Sequence, residues 1–510
     1  MAPSLHDICQ WIRAAAPGGR LVSDSRRVKP GDVFFAYPGQ AGDGRRFIDA
    51  AIEAGAAAVV HEAAGFTWDG ALATPHLAVS GLKQSAGPIA HAVLGHPDSD
   101  MFTVAVTGTN GKTSCALWSA QALARQGGTA AVVGTLGVGL VKGKAAAEPQ
   151  FDVTGYTTPD AVLLAQTLAD LKQQGAGALA IEASSIGLAQ ERMAGMHVDV
   201  AIFTNLTRDH LDFHGDMASY EAAKFKLFER EGLKHAVVNL DDPAGQRLVA
   251  HLRAGFPALA VTGYTTACAP APEGVAVLRA GAMRSKNAGT EFQVETPAGN
   301  ATVRTQLVGS YNVSNTLAVL GMLLARGVAL KAAVDAIETL VPAPGRMQQM
   351  GGQDAPMVVI DYAHTPDALE KTLEALRQVA SDRGGQLWCV FGCGGDRDPG
   401  KRPQMGRIAQ AADQVLVTSD NPRSEEPGSI IAQIVAGMDA QHPSSRLQTV
   451  EDRAAAILLA VKQAARQDVI LLAGKGHESY QEIKGRKMPF SDADHASLAL
   501  TARLTMLRTH

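Results

Sequence analysis

The chain has few of the residues that mark secreted or membrane-spanning proteins. Its 510 residues include only five cysteines, at positions 9, 115, 268, 389 and 393. An odd number of scattered cysteines suits a reducing compartment and excludes a disulfide framework. No apolar run approaches the roughly 20 residues of a membrane span, and the first residues have no apolar core of signal-peptide length. We therefore expect a cytoplasmic protein that does not enter the membrane.

Charge is also sparse and nearly balanced. Charged residues make up 19% of the chain and cancel to a formal net charge of −4. This balance excludes a broad basic surface, so we expect no nucleic-acid partner. Hydrophobic residues reach 46% although aromatic residues are only 5%, a composition typical of a globular protein. At this length, a single hydrophobic core is insufficient and several domains are predicted.

The most informative motif follows the apolar run at residues 102–106. Seven small or polar residues come next, at the start of a helix-compatible segment: Gly108, Thr109, Asn110, Gly111, Lys112, Thr113 and Ser114. This order of strand, loop and helix predicts a phosphate-binding loop, with Lys112 on the β/γ-phosphates and the Thr113 hydroxyl on Mg²⁺. Val106 stands where the general pattern has glycine, so the loop is a shortened variant. A chance Gly-Lys-Thr turn is the less favoured alternative.

The distribution of apolar runs predicts an α/β protein of three domains. Residues 1–98 read as a small α/β domain, and residues 99–341 as a central P-loop domain with a largely parallel sheet. Residues 262–306 interrupt this alternation of strands and helices and predict a β-rich segment. After Pro342, strand–helix alternation resumes and predicts a Rossmann-like third domain over residues 342–510. Open sheets of this kind bind ligands at the carboxyl ends of their strands.

Polar groups after three central segments are candidates for a site. Glu182 ends an apolar strand, where it could either coordinate Mg²⁺ or remain a solvated acid. The loop at residues 204–214 holds two histidines and two aspartates, including His210, and is a candidate metal or phosphate site, while His214 is read as structural. Lys224, judged only by its helical context, is predicted to be a surface lysine.

Four predicted strands of the third domain end in loops rich in charge, at residues 361–367, 392–398, 419–425 and 474–478. Arginine binds carboxylates and phosphates with two parallel hydrogen bonds, so these loops suit a zwitterionic substrate together with a polyphosphate. One such loop could be a structural salt-bridge cluster, but four together indicate a ligand. Cys389 and Cys393 have no second Cys/His pair nearby and are predicted to be buried thiols.

Taken as a set, these motifs resemble the Mur ligases, the ATP-dependent amide-forming enzymes of peptidoglycan precursor synthesis. The resemblance rests on residues 108–114, on Glu182 with Ser184, on the segments at 204–212 and 220–224, on Gly309 with Asn312 and Asn315, and on Arg346 and residues 361–364. It extends through all three predicted domains. The segment Asp420-Asn421-Pro422-Arg423 is similar to the motif by which some members recognise diaminopimelate.

The resemblance implies a role for residues that the patterns alone do not select. The uridine nucleotide would contact Ser23, Ser25, Gln40, Ala41 and Gly42. The muramoyl dipeptide would contact Tyr156, Thr157, Thr158, Ser184, Gln190 and Arg192. Asn312 and Arg346 would bind ATP beside the P-loop. Diaminopimelate would contact Arg397, Asp420, Asn421, Pro422, Arg423, Gly474 and Glu478.

The implied reaction adds meso-diaminopimelate to UDP-N-acetylmuramoyl-L-alanyl-D-glutamate by way of an acyl phosphate. Lys112, Lys224 and His210 would be catalytic, and Thr113, Glu182, His210 and Lys224 would bind Mg²⁺, with Lys224 carbamylated. We expect ATP and Mg²⁺ as cofactors and a monomeric enzyme. Ile186 stands where relatives often carry histidine, and no role is assigned to it. The alternatives are another Mur-type or folylpolyglutamate-type ligase, or a regulatory ATP-binding protein.

Overall fold

A computed structural model describes residues 3–39, 42–143, 150–267, 269–286, 289–439 and 446–508. Within these residues, three sheets of four or more strands follow one another along the chain, and a two-stranded hairpin comes after them. The predicted α/β class is confirmed. Within the described residues, no helix combines the length and apolar character needed to cross a bilayer.

The first sheet is small and entirely parallel, in the order β1-β2-β3-β4. Its strands are β1 (Leu21–Val22), β2 (Val33–Ala36), β3 (Ala58–Glu62) and β4 (His76–Val79). The helices are α1 (Leu5–Ala15), α2 (Ile48–Glu53) and α3 (Leu82–Val93), with 3₁₀ turns at Ser25–Arg27 and Gly44–Phe47. Helix α1 begins with a capping box in which Ser4 and Asp7 satisfy each other's backbone N–H groups.

The central sheet has eleven strands in the order β15-β14-β13-β12-β11-β10-β5-β9-β6-β7-β8. They are β5 (Phe102–Thr107), β6 (Thr129–Gly134), β7 (Gly137–Lys142), β8 (Phe151–Asp152), β9 (Ala176–Glu182), β10 (Val200–Phe203), β11 (His235–Asn239), β12 (Ala260–Thr265), β13 (Ala276–Lys286), β14 (Gly289–Thr296) and β15 (Gly299–Thr305). The middle pairs are parallel, and both ends of the sheet are antiparallel. The predicted β-rich segment at residues 262–306 therefore forms strands that extend this sheet.

Helices cover both faces of the central sheet. They are α4 (Lys112–Arg125), α5 (Ala161–Gln173), α6 (Ser185–Ala189), α7 (Leu211–His214), α8 (Met217–Phe225), α9 (Pro243–Gly255), α10 (Ser310–Ala325) and α11 (Leu330–Ile337). In β5, Val104 and Val106 belong to one hydrophobic core and Ala105 to the other. Burial on both faces explains why this strand reads as a continuous apolar run.

The third sheet has the order β16-β17-β21-β18-β19-β20 and is parallel except for β16. Its strands are β16 (Gln348–Gly351), β17 (Met357–Asp361), β18 (Leu387–Phe391), β19 (Gln414–Val417), β20 (Arg446–Thr449) and β21 (Val469–Ala473). A hairpin of β22 (Tyr480–Ile483) and β23 (Arg486–Pro489) follows. The helices are α12 (Pro366–Asp382), α13 (Lys401–Ala409), α14 (Pro427–Val435), α15 (Arg453–Gln463) and α16 (Asp492–Arg508).

A buried ion pair connects the last helix to the third sheet. Arg453, at the start of α15, contacts Asp492 of α16 at 2.7 Å, and neither side chain is exposed to solvent. The same guanidinium donates to the carbonyl of Ala473, the last residue of β21. The pair therefore holds α16 against the strand end from which the loop at residues 474–478 departs. Cys389 and Cys393 are buried free thiols, as predicted.

Candidate active site

The predicted P-loop connects β5 to α4 and requires its glycines. Gly108 and Gly111 have positive φ angles of 147° and 86°. A Cβ at Gly108 would lie 1.8 Å from the Thr204 hydroxyl oxygen, and one at Gly111 would lie 2.5 Å from Asn315 Oδ1. The loop backbone is thus packed closely at the N-terminus of α4, a position that binds phosphate through N–H groups and the helix dipole.

Two lysines meet at this loop. The Lys112 ammonium donates to the carbonyls of Gly108 and Thr109 at 2.9 and 2.8 Å, and Lys224 donates to the same Gly108 carbonyl at 2.7 Å. Burial lowers the pKa of both lysines, and for Lys224 the nearby Lys112 cation lowers it further. Two ammonium groups that share one carbonyl oxygen make a strongly electropositive position, suited to an anion.

The prediction of Lys224 as a surface residue, drawn from its helical context alone, is wrong. Helix α8 packs over the P-loop, so that only 1% of Lys224 is exposed and its ammonium lies 4.4 Å from the centre of the Tyr220 ring. The Tyr220 hydroxyl is also within 3.0 Å of Thr109 Oγ1. Tyr220 was not selected from the sequence, although it lies in the quoted segment 220–224.

A single carboxylate, that of Glu182, lies beside the start of α4. Because β9 pairs with β5 in parallel, Glu182 reaches the P-loop, where its carboxylate accepts from Thr113 Oγ1 at 3.1 Å. It also accepts from the backbone N–H and the hydroxyl of Thr135, at 2.8 and 3.2 Å. Thr135 follows β6 without any motif, so sequence reasoning could not select it. The carboxylate and hydroxyl oxygens are hard donors that fit Mg²⁺.

Few protein groups at this position can bind a metal ion, and their number limits the kind of ion that fits. Among the described residues, no group of three or more His, Cys, Asp or Glu side chains could hold a metal by itself. Mg²⁺ usually takes one or two carboxylates and completes its shell with water and substrate phosphates. Glu182 and Thr113 beside a phosphate-binding loop therefore fit Mg²⁺ better than an ion that needs an all-protein cage.

His210 lies on the other side of the P-loop. It precedes α7 with a φ of 52°, a left-handed conformation uncommon in residues other than glycine. Its ring is 3.5 Å from the Asp209 carboxylate, and burial lowers its pKa although Asp209 opposes that effect. A neutral imidazole is the form that binds metals. His214, read as structural, has its Nε2 3.0 Å from Ser185 Oγ.

Residues of the third sheet face the P-loop across a cleft of about 590 Å³. Arg346 Nη2 donates to Thr113 Oγ1 at 3.1 Å, its guanidinium lies 4.3 Å from the Tyr362 ring centre, and its Nε is buried without a hydrogen-bond partner. Asn110 donates to Asp367 at 3.0 Å. An unpaired buried donor costs free energy unless a ligand accepts from it, so Arg346 fits the prediction of a polyphosphate contact.

Asn312, the other residue predicted on the ATP side, also lines this cleft. It lies in the first turn of α10, where its amide donates to the Val308 carbonyl at 2.8 Å and its Oδ1 accepts from Asn315 at 3.4 Å. These contacts hold the buried amide in the wall of the cleft. Ser114 lines the cleft as well.

The residues predicted to hold the muramoyl dipeptide form a group beside Glu182. Thr158 Oγ1 donates to the Glu182 carbonyl at 2.7 Å and lies 2.9 Å from Ser184 Oγ. Thr157 Oγ1 lies 3.0 Å from Thr135 Oγ1. Arg192 donates to the Thr158 carbonyl at 2.8 Å. The group is therefore contiguous with the predicted metal ligands.

The remaining members of this set lead towards the first sheet. Gln190 accepts from Arg192 at 2.7 and 2.9 Å, and the Arg192 guanidinium is 5.7 Å from the centre of the half-exposed Tyr156 ring. Ser23 donates to Asp160 at 2.8 Å. Ser25 begins the 3₁₀ turn Ser25–Arg27. Gly42 is exposed, and Gln40 and Ala41 lie outside the described residues.

The four charged loops of the third sheet meet at its carboxyl edge. Asn421 donates to Glu478 at 2.8 Å. A Cβ at Gly474, whose φ is 111°, would lie 2.8 Å from Asp420 Oδ2. The Arg423 backbone lies between two residues of the β22–β23 hairpin, because its N–H donates to Glu482 and its carbonyl accepts from Lys484. The predicted recognition motif at residues 420–423 is therefore one part of a compact cluster.

The two predicted arginines of this region both approach Gly394, because a Cβ at that glycine would lie 2.9 Å from Arg423 Nη1 and 3.8 Å from Arg397 Cγ. The sequence also allows Arg423 to pair on the surface with the nearby Glu425 or Glu426. That alternative is wrong, since Arg423 pairs with Glu482 at 3.4 Å and donates to the Gly395 carbonyl. Those two acids contact Arg402 and Lys484 instead. Arg397 is 55% exposed and lies 4.0 Å from Asp212 of α7, a helix that belongs to the central sheet.

Comparison with known proteins agrees with this arrangement. The models for the Mur ligase family catalytic domain, the Mur ligase middle domain and the Mur ligase glutamate ligase domain match residues 20–84, 106–323 and 345–476. A protein of Janthinobacterium sp. (strain Marseille) is 61% identical over 98% of both chains and is named UDP-N-acetylmuramoyl-L-alanyl-D-glutamate–2,6-diaminopimelate ligase. A solved structure with that same name is 36% identical over 95% of both chains, with a TM-score of 0.65. The MurF ligase of Thermotoga maritima in complex with ADP has the same fold, with a TM-score of 0.64, 19% identity, and coverage of 96% of this chain and 98% of its own.

Proposed function

The chain belongs to the Mur ligase family, and from that premise we propose that it joins diaminopimelate to UDP-N-acetylmuramoyl-L-alanyl-D-glutamate at the expense of ATP. The enzyme is an ATP-dependent ligase of peptidoglycan precursor synthesis. The observation that carries the assignment is the position of the cluster at residues 420–423 and 474–478, in the unit that faces the P-loop across the cleft. An ATPase that only switches between states has no need of such a cluster.

The reaction must join a carboxylate to an amine, which is unfavourable in water without activation. A carboxylate oxygen of the D-glutamyl residue attacks the γ-phosphorus of ATP, the bond to the β-phosphate oxygen breaks, and ADP leaves. The amine of diaminopimelate then attacks the acyl carbon, the bond to the phosphate oxygen breaks, and the nitrogen loses a proton. Phosphoryl transfer of this kind depends on positioning and on neutralising charge.

We assign the positioning to the residues described above. The backbone of residues 108–111 and the Lys112 ammonium bind the β- and γ-phosphates, and Arg346 approaches them from the third sheet. Thr113, Glu182, His210 and a carbamylated Lys224 would hold Mg²⁺, which supplies positive charge to the phosphates when bound. Asn312 would bind the nucleotide from the wall of the cleft.

We assign the substrate ends to the three sheets in turn. Residues 1–98 would bind the uridine nucleotide, residues 99–341 the ATP and the dipeptide, and residues 342–510 the diaminopimelate. The separate sheets and the continuous path from Ser23 through Asp160 to the group at Thr158 and Ser184 support this division. We propose the meso stereoisomer, a monomeric enzyme and a cytoplasmic location, where ATP and UDP-sugars are found.

The alternatives differ in the incoming amino acid. Ligases that add D-glutamate, D-alanyl-D-alanine or folyl glutamates do not need a cation for a carboxylate at the far end of a diamino acid, whereas Arg423 offers one here. A regulatory ATP-binding protein would hydrolyse ATP without regard to amino acids or UDP-sugars.

A phosphate-release assay separates these functions. The purified protein receives ATP, Mg²⁺ and UDP-N-acetylmuramoyl-L-alanyl-D-glutamate, together with diaminopimelate, L-lysine or no amino acid. We expect phosphate and a tripeptide product only with diaminopimelate, and neither with Lys112→Ala, because losing one preorganised electrostatic donor typically costs about 10²–10³ in kcat. Release that is equal in all three mixtures would exclude the ligase.

A further inference from the structure

Lys475 is a completely buried lysine at the carboxyl edge of the third sheet. Its ammonium lies 3.0 Å from Asn421 Oδ1, 3.1 Å from Glu478 Oε2 and 3.5 Å from Asp420 Oδ1. An ammonium group has three N–H donors, and these three acceptors account for all of them. Lys475 therefore contacts three of the residues assigned to diaminopimelate while it is itself shielded from solvent.

The contacts fix the orientation of the Asn421 amide. Its Oδ1 accepts from Lys475 and from the Glu482 backbone N–H at 2.9 Å, and its Nδ2 donates to Glu478 at 2.8 Å. Glu478 accepts from both Lys475 and Asn421 through the same Oε2. Removing the ammonium would leave Asn421 Oδ1 with one donor and Glu478 with a single neutral partner.

The charges around Lys475 also favour a role in binding the amino-acid substrate. Asp420 and Glu478 carry two negative charges in a region where Lys475 carries one positive charge, so one negative charge is left over. A single excess negative charge complements the one ammonium at the far end of diaminopimelate, and Arg423 offers a cation to the carboxylate of that same end. Without Lys475, the Asp420 and Glu478 carboxylates would lose the ammonium group that contacts both of them, which is costly for groups so little exposed.

We propose that Lys475 is a positioning residue for the amino-acid substrate, which it affects through Asn421 and Glu478 without touching the reacting atoms. The inference rests on the proposed function. It predicts that loss of the ammonium weakens the binding of diaminopimelate selectively, since the P-loop and the dipeptide group lie on another sheet.

The test compares the full-length protein with Lys475→Met, Lys475→Arg and, as a matched control, Lys462→Met. Lys462 also lies after residue 342, but it is exposed and belongs to the last turn of α15. In Lys475→Met, we expect the KM for diaminopimelate to rise about 10- to 100-fold, as for the loss of one charged hydrogen bond, while the KM values for ATP and the UDP substrate stay near wild type. Lys475→Arg should recover most of the loss, and Lys462→Met should behave as wild type.

A double variant keeps the test decisive if Lys475→Met does not fold. Lys475→Met with Glu478→Gln removes both members of the pair and leaves no excess buried carboxylate from Glu478. If Lys475 acts through Glu478 and the Asn421 amide bonded to it, the KM of the double variant for diaminopimelate should match that of Glu478→Gln alone; a KM well above that of Glu478→Gln would refute the inference. An equal rise in all three KM values, or an unchanged KM for diaminopimelate in Lys475→Met, would also refute it. A wild-type enzyme that ignores diaminopimelate would instead refute the proposed function.

Discussion

At the scale of single residues, the shared carbonyl of Gly108 is the most unusual contact of the site. Lys112 and Lys224 both donate to it, and both are buried. Two unmodified ammonium groups so close together would also repel Mg²⁺. A carbamate on Lys224 would replace one cation by an anion, which is what the proposed metal site needs.

Lys224→Ala should therefore be nearly inactive, and a short carboxylic acid added to the assay should restore part of the phosphate release. Lys226→Ala is the matched control, because Lys226 lies two residues further along and is exposed. Mass spectrometry under CO₂-rich, non-acidic conditions should detect the carbamate. An active alanine variant, or free amine as the only species in active enzyme, would contradict this role.

Arg423 should decide between diaminopimelate and lysine, which differ by one carboxylate. Lysine brings no carboxylate to the guanidinium, and sites built for a polar group can reject an analogue lacking it by about 10⁴–10⁵. We expect Arg423→Ala to raise the KM for diaminopimelate sharply, since each charged hydrogen bond contributes about 1.5–3 kcal/mol, with little change in the KM for ATP. Arg377→Ala, which removes an ion pair with Asp413 elsewhere in the same unit, should leave both values unchanged. Equal turnover of lysine and diaminopimelate by wild type would argue against this specificity.

At the scale of elements, the P-loop could be predicted because its chemistry is local. The strand, the glycines and Lys112 are consecutive, and each residue type has a direct physical reason. The predicted position of Glu182 beside the P-loop required only that its strand, β9, lie next to β5, and the sheet order shows that it does. Lys224 could not be placed from its own segment, because its burial depends on how α8 packs over a loop more than a hundred residues earlier.

The β22–β23 hairpin is the element that sequence reasoning missed. It reads as a polar segment, yet its backbone brackets Arg423 and its Gln481 side chain donates to the Asp420 carbonyl at 2.7 Å. Its two-residue turn, Lys484 and Gly485, has positive φ at both positions, 50° and 74°, as a type I′ turn requires.

Gly485→Val should therefore weaken the hairpin and raise the KM for diaminopimelate. The effect is conformational, because a Cβ there meets no atom within 4 Å, whereas a left-handed β-branched residue costs roughly 1–2 kcal/mol. Gly384→Val is the matched control. Gly384 also has a positive φ, 67°, and open space around it, but it follows α12 away from the motif. Both variants should lower the melting temperature, and only the first should change the KM; a similar KM in both would remove the hairpin from substrate recognition.

At the scale of the whole molecule, the site is completed by contacts between the central and third units. Asn110 contacts Asp367, Arg346 contacts Thr113, and Arg208 pairs with Asp398 at 3.2 Å. None of these pairs could be predicted from sequence spacing, since their members are 190 to 257 residues apart. The sequence patterns predict which strand ends carry polar groups but not how the sheets are placed against each other.

Two partly exposed histidines, His364 and His477, make the third unit sensitive to mild acid. Burial lowers the pKa of His364 and of His477 to about 4, aided by Lys401 near the first and Arg346 near both. Because the folded-state pKa lies below the unfolded value of about 6.5, the unfolded chain binds more protons between these values. Stability is therefore full above pH 6.5 and declines as the pH falls towards 4.

Thermal unfolding followed between pH 7 and pH 5 should show this decline. The variant His364→Asn with His477→Asn should lose less stability over the same range than wild type, since asparagine does not titrate. His251→Asn, which removes an exposed histidine paired with Glu229, should follow the wild-type curve. Parallel curves for all three proteins would show that these histidines do not control the acid response.

The ion pair between Arg453 and Asp492 sets where the polypeptide can be shortened. A fragment that stops after the β22–β23 hairpin would retain every residue assigned to diaminopimelate, yet it would leave the Arg453 guanidinium buried without its carboxylate. Breaking a buried pair in this way costs about 3–5 kcal/mol, comparable to the whole stability of a small domain. The final helix therefore holds the third sheet in its folded state. Proteolytic cleavage between residues 489 and 492 should abolish activity, although it removes no residue assigned to a substrate.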